Sequence, residues 1–116
     1  MNRRKILVTG ASGLVGSRFV ELYPHPGDLL TPDLDEFDLA DPGEYLAKNA
    51  PNIVLNFAAY TNVSEAEKQR GDKSGPCWQI NVAGTRNLVS ALPANTRLIH
   101  ISTDMVFSGA SGPYKE

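Results

Sequence analysis

The sequence predicts an α/β fold, a parallel sheet flanked by helices. Three observations carry the prediction. First, the short continuous apolar run Ile6-Leu7-Val8 fits a strand buried on both faces, which lacks an in–out alternation, and further strands read at Ile53–Phe57 and Arg97–Ile101. Second, segments of helical periodicity separate these strands. Third, Gly10, Gly13 and Gly16 stand at G-x-x-G-x-x-G spacing directly after the first run. There the first glycine allows a tight turn, the second a close approach of backbone to ligand, and the third close packing of the new helix. With right-handed crossovers the succession gives one sheet with helices on both faces. The expected strand order is 3-2-1-4.

The bulk numbers bound the answer. At 116 residues the chain makes one domain of modest size. The apolar share of 41% suits a globular core. A net charge of −2 gives no pull toward nucleic acid or anionic membrane. A single cysteine, Cys77, rules out an internal disulfide and is compatible with a reducing compartment. The basic start, Met1-Asn2-Arg3-Arg4-Lys5, precedes too short an apolar run for a signal peptide. No apolar run approaches membrane-spanning length. The default is a cytoplasmic, soluble protein.

The elements follow in order. The first strand, Ile6–Val8, runs into the glycine turn. Val15, Phe19 and Leu22 then define an apolar helical face, and Tyr23-Pro24-His25-Pro26-Gly27 stops that helix. Asp28–Thr31 is a short second strand ended by Pro32. Asp41, Pro42 and Glu44 form a helix start resembling a capping box, and the helix runs to about Asn49, before Pro51. Ile53–Phe57 is the third strand. Residues 62–77 are polar and partly loop, with a helical turn at Ser64–Glu67. The longest helical pattern runs from Trp78 to Leu92, with Trp78, Val82, Val89 and Leu92 on one face and Leu88 beside it. Arg97–Ile101 is the fourth strand, followed by a glycine-rich loop. Arg70-Gly71-Asp72 and the sequon Asn62-Val63-Ser64 are chance matches without an export signal.

The turn and helix start at Gly10, Ala11, Ser12, Gly13, Leu14 and Val15 make a pyrophosphate site. Backbone N–H groups and the positive end of the helix dipole converge there. Asp33 lies 17 residues after Gly16, where an acid can accept hydrogen bonds from the adenosine ribose. Its charge repels a 2′-phosphate and leans the cofactor toward NAD, whereas Arg18 would favour NADP. The small residues of Ala58-Ala59-Tyr60-Thr61 leave room for a cofactor across the sheet. Ser102-Thr103-Asp104 lies at the carboxyl end of the fourth strand, where open α/β sheets place their chemistry. Cys77 has no activating partner in sequence. His25 and His100 are isolated, and no metal-ligand spacing is present.

Four stretches together resemble the extended short-chain dehydrogenase/reductase family, and within it the dTDP-4-dehydrorhamnose reductase branch. They are Val8–Gly16, Val54–Val63 with Glu65–Glu67, Asn81–Leu88, and Ile101–Gly109 with Pro113–Glu116. The resemblance covers nearly the whole chain. It implies a Rossmann-like domain that binds NAD(P)H. It implies a reaction in which hydride passes to C4 of a nucleotide-linked 4-keto-6-deoxysugar. In this reading Asp38, Leu39, Phe57, Ala58, Ala59, Tyr60, Asn81, Ile101 and Ser102 join Gly10–Val15 and Asp33 around the cofactor. Thr103 is the hydroxyl member of the catalytic group and contacts substrate with Asp104, Val106 and Phe107.

The family's catalytic Tyr-x-x-x-Lys does not occur: Tyr23, Tyr45 and Tyr60 are followed four positions later by Gly27, Asn49 and Ser64. Tyr114-Lys115 is no substitute, because adjacent residues do not share a helical face. The expectation is therefore an amino-terminal part, cut before the fifth strand and inactive alone, with the carboxyl-terminal substrate region absent. Its fourth strand would be an exposed apolar edge, leaving the chain marginally stable or self-associating. Two other readings stand beside the reductase. One is a non-catalytic NAD(P)-binding regulatory subunit like that of methionine adenosyltransferase. The other is a nonfunctional remnant. Cofactor binding by the chain separates these two.

Overall fold

The structure, a computed structural model, describes residues 4–103. Strands β1 (Ile6–Thr9), β2 (Leu29–Leu30), β3 (Ile53–Asn56) and β4 (Arg97–His100) form one sheet, and each pairing is parallel. Helix α1 (Leu14–Leu22) follows β1, α2 (Gly43–Asn49) follows β2, and α3 (Val63–Lys68) follows β3. A helical run leads to β4. It comprises α4 (Pro76–Trp78), a π-helical turn (Gln79–Gly84) and α5 (Thr85–Ala91).

The strand order is β2-β1-β3-β4, which corrects the expected 3-2-1-4. Burial explains the difference. Leu7, Val8 and Val54 are fully buried, so β1 and β3 take the centre. The two half-buried residues of β2 suit only an edge. Residues 33–41 add no strand beyond β2. They fold as successive turns, with the Glu36 and Phe37 N–H groups donating to the Asp33 carbonyl, and Phe37 enters the core. Crossover handedness agrees. The step from β1 to β2 runs one way along the sheet, and the steps to β3 and β4 run the other. Right-handed connections then place α1 on one face and α2 and α5 on the opposite face.

Two apolar cores result. Leu7, Val54, Phe37, Leu46 of α2 and Leu88 of α5 pack on one face. Ile6, Val8 and Leu55 pack on the other, against Phe19, Val20 and Tyr23. On this second face Ile99 and Ile101 remain 42% and 43% exposed. Among the described residues β4 is thus an exposed apolar edge strand, as the sequence predicts.

Four local readings shift. In α1 Gly16 is buried and Phe19 and Val20 are half-buried, while Val15 and Leu22 face solvent. Gly16 has to face the glycine turn, and that sets the helix rotation. In the long helical run, Leu88 is fully buried and Val89 is 52% exposed. The π turn closes i→i+5 bonds, and its extra residue rotates everything after it by roughly 100°. Helix α2 starts at Gly43 without a side-chain cap, because its N-cap is Pro42 and not Asp41; Asp41 closes the preceding turn through its N–H to the Asp38 carbonyl. It ends at Ala50, which adopts the left-handed region (φ 44, ψ 59). The turn expected at Ser64–Glu67 is the full α3, capped by Asn62 Oδ1 accepting from the Glu65 N–H at 3.1 Å. Among the described residues no helix is long and apolar enough to cross a membrane.

Candidate dinucleotide-binding site

In a 2-1-3-4 sheet the chain reverses its direction of travel between β1 and β3. Open α/β sheets bind ligands at the carboxyl ends of the strands flanking such a switch. Both of these strands end in polar residues, Thr9 and Asn56, which are paired in register.

The glycine turn lies immediately beyond Thr9. Gly10 has φ +67, and a Cβ there would stand 2.8 Å from the Ala58 nitrogen and 2.9 Å from the Phe57 carbonyl carbon. The turn and the end of β3 therefore touch main chain to main chain. Gly16 is more tightly held still: a Cβ would lie 2.1 Å from the Gly10 carbonyl oxygen. The N–H of Gly13 donates to that same oxygen at 3.0 Å. Gly13 then opens α1 with an extended backbone (φ −74, ψ 176) and no side-chain cap. The first N–H groups of α1 thus have no side-chain acceptor from Gly13, the arrangement that favours an anion at a helix start.

Three cavities run along this end of the sheet and share walls. The first, about 580 Å³, lies between the glycine turn (Gly10, Ala11, Ser12) and the segment after β2 (Thr31, Pro32, Asp33, Leu34). The second, about 330 Å³, shares Gly10, Ser12, Pro32 and Leu34 with it and adds Gly13, Asp38, Leu39, Phe57, Ala58, Ala59 and Ile80. The third, about 440 Å³, shares Ala58 and Ala59 and continues past Tyr60, Asn81 and His100 to Ile101, Ser102 and Thr103. Together they form one groove from Asp33 to Thr103.

The structure places most of the sequence-predicted residues on this groove. Leu14 and Val15 sit elsewhere, on a shallow apolar depression with Phe19 and Phe57. Arg18 lines that depression too and pairs with Glu21 at 2.9 Å, away from the Asp33 cavity. Asp33 Oδ1 accepts from the N–H groups of Asp35 (3.0 Å) and Glu36 (3.1 Å). Asp38 Oδ1 accepts from the Ala40 N–H at 2.8 Å. Each acid therefore shapes its own turn as well as facing a cavity. Asn81 grips the main chain of Tyr60: its Oδ1 accepts from the Tyr60 N–H at 2.8 Å and its Nδ2 donates to the Tyr60 carbonyl at 3.1 Å. The π turn carries Asn81. Thr103 is exposed on the third cavity. Asp104, Val106 and Phe107 lie outside the described residues.

Sequence reasoning missed Thr9, Asn56, His100 and Ile80. The signal for the first two was a polar residue closing an otherwise apolar strand. Among the described residues, Thr9 and Asn56 are the two buried polar ones.

The chain matches known proteins over its whole described length. The family model described as the RmlD substrate binding domain matches residues 4–116. The dTDP-4-dehydrorhamnose reductase of Streptomyces griseus is 37% identical over 120 residues, covering 98% of this chain and 38% of that protein. The dTDP-4-dehydrorhamnose reductase of Aggregatibacter actinomycetemcomitans is 34% identical over 119 residues, covering 97% and 39%. The crystal structure of the Bacillus anthracis dTDP-4-dehydrorhamnose reductase in complex with NADP superposes with a TM-score of 0.82 at 31% identity, covering 95% and 40%. The chain thus spans about two fifths of the length of these relatives. With its glycine turn, its groove and this match from Arg4 to Glu116, the chain belongs to the family of the RmlD substrate binding domain.

Proposed function

We propose that the chain is the dinucleotide-binding part of an NAD(P)H-dependent reductase acting on a nucleotide-linked 4-keto-6-deoxysugar. The observation that carries this reading is the continuous groove from Asp33 to Thr103, crossed at its middle by the Gly10–Ala58 main-chain contact. The cradle fits a pyrophosphate: Gly13 keeps side-chain bulk away from the start of α1. Residues 31–35 take the adenosine end, Gly10–Gly13 the phosphates, and Ala58–Tyr60 with Ile101 and Ser102 the nicotinamide end. The bound nicotinamide supplies hydride. Thr103 donates its hydroxyl hydrogen to the ketone oxygen, where negative charge develops on reduction. The sugar and the proton source belong to the whole protein and extend this reading.

The similar Bacillus anthracis enzyme holds NADP, so a lean toward NAD from Asp33 is not carried forward. One Asp33 oxygen is spent on the turn, which weakens the carboxylate as a discriminator. Both NADPH and NADH enter this groove in our reading. Titrating the 116-residue chain with each dinucleotide, followed by nicotinamide fluorescence, tests it. Saturable binding of at least one supports the proposal. No binding of either at millimolar concentration refutes it.

A further inference from the structure

A row of polar side chains crosses the sheet at the carboxyl ends of β1, β3 and β4. Thr9 and Asn56 are register partners, as are Asn56 and His100. The Ala58 N–H donates to Thr9 Oγ1 at 3.2 Å. Thr9 Oγ1 donates to Asn56 Oδ1 at 2.5 Å. Asn56 Nδ2 lies 3.1 Å from His100 Nδ1. Thr9 is 4% exposed and Asn56 1%, so the Thr9 hydroxyl hydrogen and the Asn56 amide are partnered within the protein rather than by solvent.

The direction of the row follows from its first member. A main-chain N–H only donates, so Thr9 accepts from Ala58 and has its own hydrogen for Asn56. The amide atom facing Thr9 is then the oxygen. With the amide reversed, the buried hydroxyl would face an NH2 group and lose this acceptor, at a cost of the order of a broken buried hydrogen bond. The amide nitrogen therefore faces His100 and donates. The ring nitrogen that meets it must accept, which leaves the proton on Nε2.

We propose that Thr9, Asn56 and His100 form a one-directional hydrogen-bond relay that positions Ala58 against the glycine turn and fixes His100 as the Nε2–H tautomer on the nicotinamide end of the groove. The positioning role rests on the function proposed above, whereas the relay and the tautomer do not. The relay begins at the Ala58 nitrogen, the atom that a Cβ on Gly10 would meet. It ends on a ring that lines the third cavity with Ser102 and Thr103. The Nε2–H is a donor of fixed direction for an oxygen of a bound ribose or sugar.

Two-bond proton–nitrogen correlation spectra of the 15N-labelled chain, in mildly alkaline buffer without ligand, read the tautomer. His25→Gln assigns the two histidines. The expected result is a bare Nδ1 and a protonated Nε2 on His100. In Asn56→Asp the facing atom becomes an acceptor, and the proton should move to Nδ1. A protonated Nδ1 in the unsubstituted chain, or a folded Asn56→Asp whose ring is unchanged, overturns the relay. Positioning is read separately by NADPH titration. Thr9→Val should weaken binding at least five-fold and Thr9→Ser should restore it. Unchanged affinity in a folded Thr9→Val overturns the positioning role. If the unsubstituted chain binds no dinucleotide, the proposed function and the positioning role fall together, while the tautomer result still decides the relay.

Discussion

Gly16→Ala tests the core of the structural argument, because the geometry dictates its outcome. The added methyl would be placed 2.1 Å from the Gly10 carbonyl oxygen, 2.9 Å from its carbon and 3.3 Å from the Ala11 Cα. Those atoms are main chain and have no rotamer to adopt. To restore ordinary contact, α1 has to retreat from the turn by about 1 Å. Phe19 and Val20 hold the helix on Ile6, Val8 and Leu55, so the retreat opens a gap in that core. A gap of this width forfeits a quarter to a half of each contact it separates. Overpacking plus this loss amounts to about 3 kcal/mol, a large fraction of the roughly 5–15 kcal/mol of an ordinary domain. Gly13→Ala is the control. Its backbone is extended, and the nearest atom to a Cβ is 3.3 Å away. Its stability should stay within about 1 kcal/mol of the parent, while NADPH affinity falls at least ten-fold. Urea unfolding followed by the single tryptophan, Trp78, supplies both stabilities. A Gly16→Ala chain within about 0.5 kcal/mol of the parent would refute the reasoning.

Three further outcomes follow from other elements. Leu88→Ala should cost about 3 kcal/mol and Val89→Ala less than about 1 kcal/mol; equal losses on urea unfolding would contradict the phase set by the π turn. Ala50→Gly should raise stability by about 1 kcal/mol, because it relieves a left-handed residue carrying a Cβ, and a lowered urea midpoint would count against that conformation. Burial, and secondarily the Glu36 charge, raise the Tyr45 pKa above its ordinary 10.0. The sign is that of an acid kept neutral by folding: the contribution is complete below pH 10.0 and is lost as pH rises through the folded value. Tyr45→Phe should therefore flatten the alkaline decline in melting temperature, and an unaltered decline would assign it to another group.

The four strands were legible because each is a short apolar run bounded by turn residues, a local signal. Their order was not, because it depends on which strands are buried on both sides. Leu29 and Leu30 look like the start of an ordinary strand until the sheet shows that they are all of it. The glycine turn was legible in the tight turn at Gly10 and the close packing at Gly16, since its spacing reports a backbone need. The rotation of the long helical run was hidden, because a π turn leaves no periodic mark in a pattern averaged over its length. Thr9, Asn56 and His100 are 47 and 44 residues apart in sequence, and only the register of the sheet makes them one row. Asn81 was expected on the site and lines the groove, but its clamp was not legible, since its partner is the main chain of Tyr60 rather than a side chain.

That clamp changes how the loop after β3 should behave in time. Tyr60 belongs to no strand or helix, and an ordinary loop amide exchanges its hydrogen with solvent freely. Here the amide is held by a side chain rooted in the π turn, so Tyr60 is expected to open with the helical run 76–91 as one cooperative unit. The Tyr60 amide should exchange no faster than the helix that holds it, and residues 58–61 inherit an order that no hydrogen bond within the loop supplies.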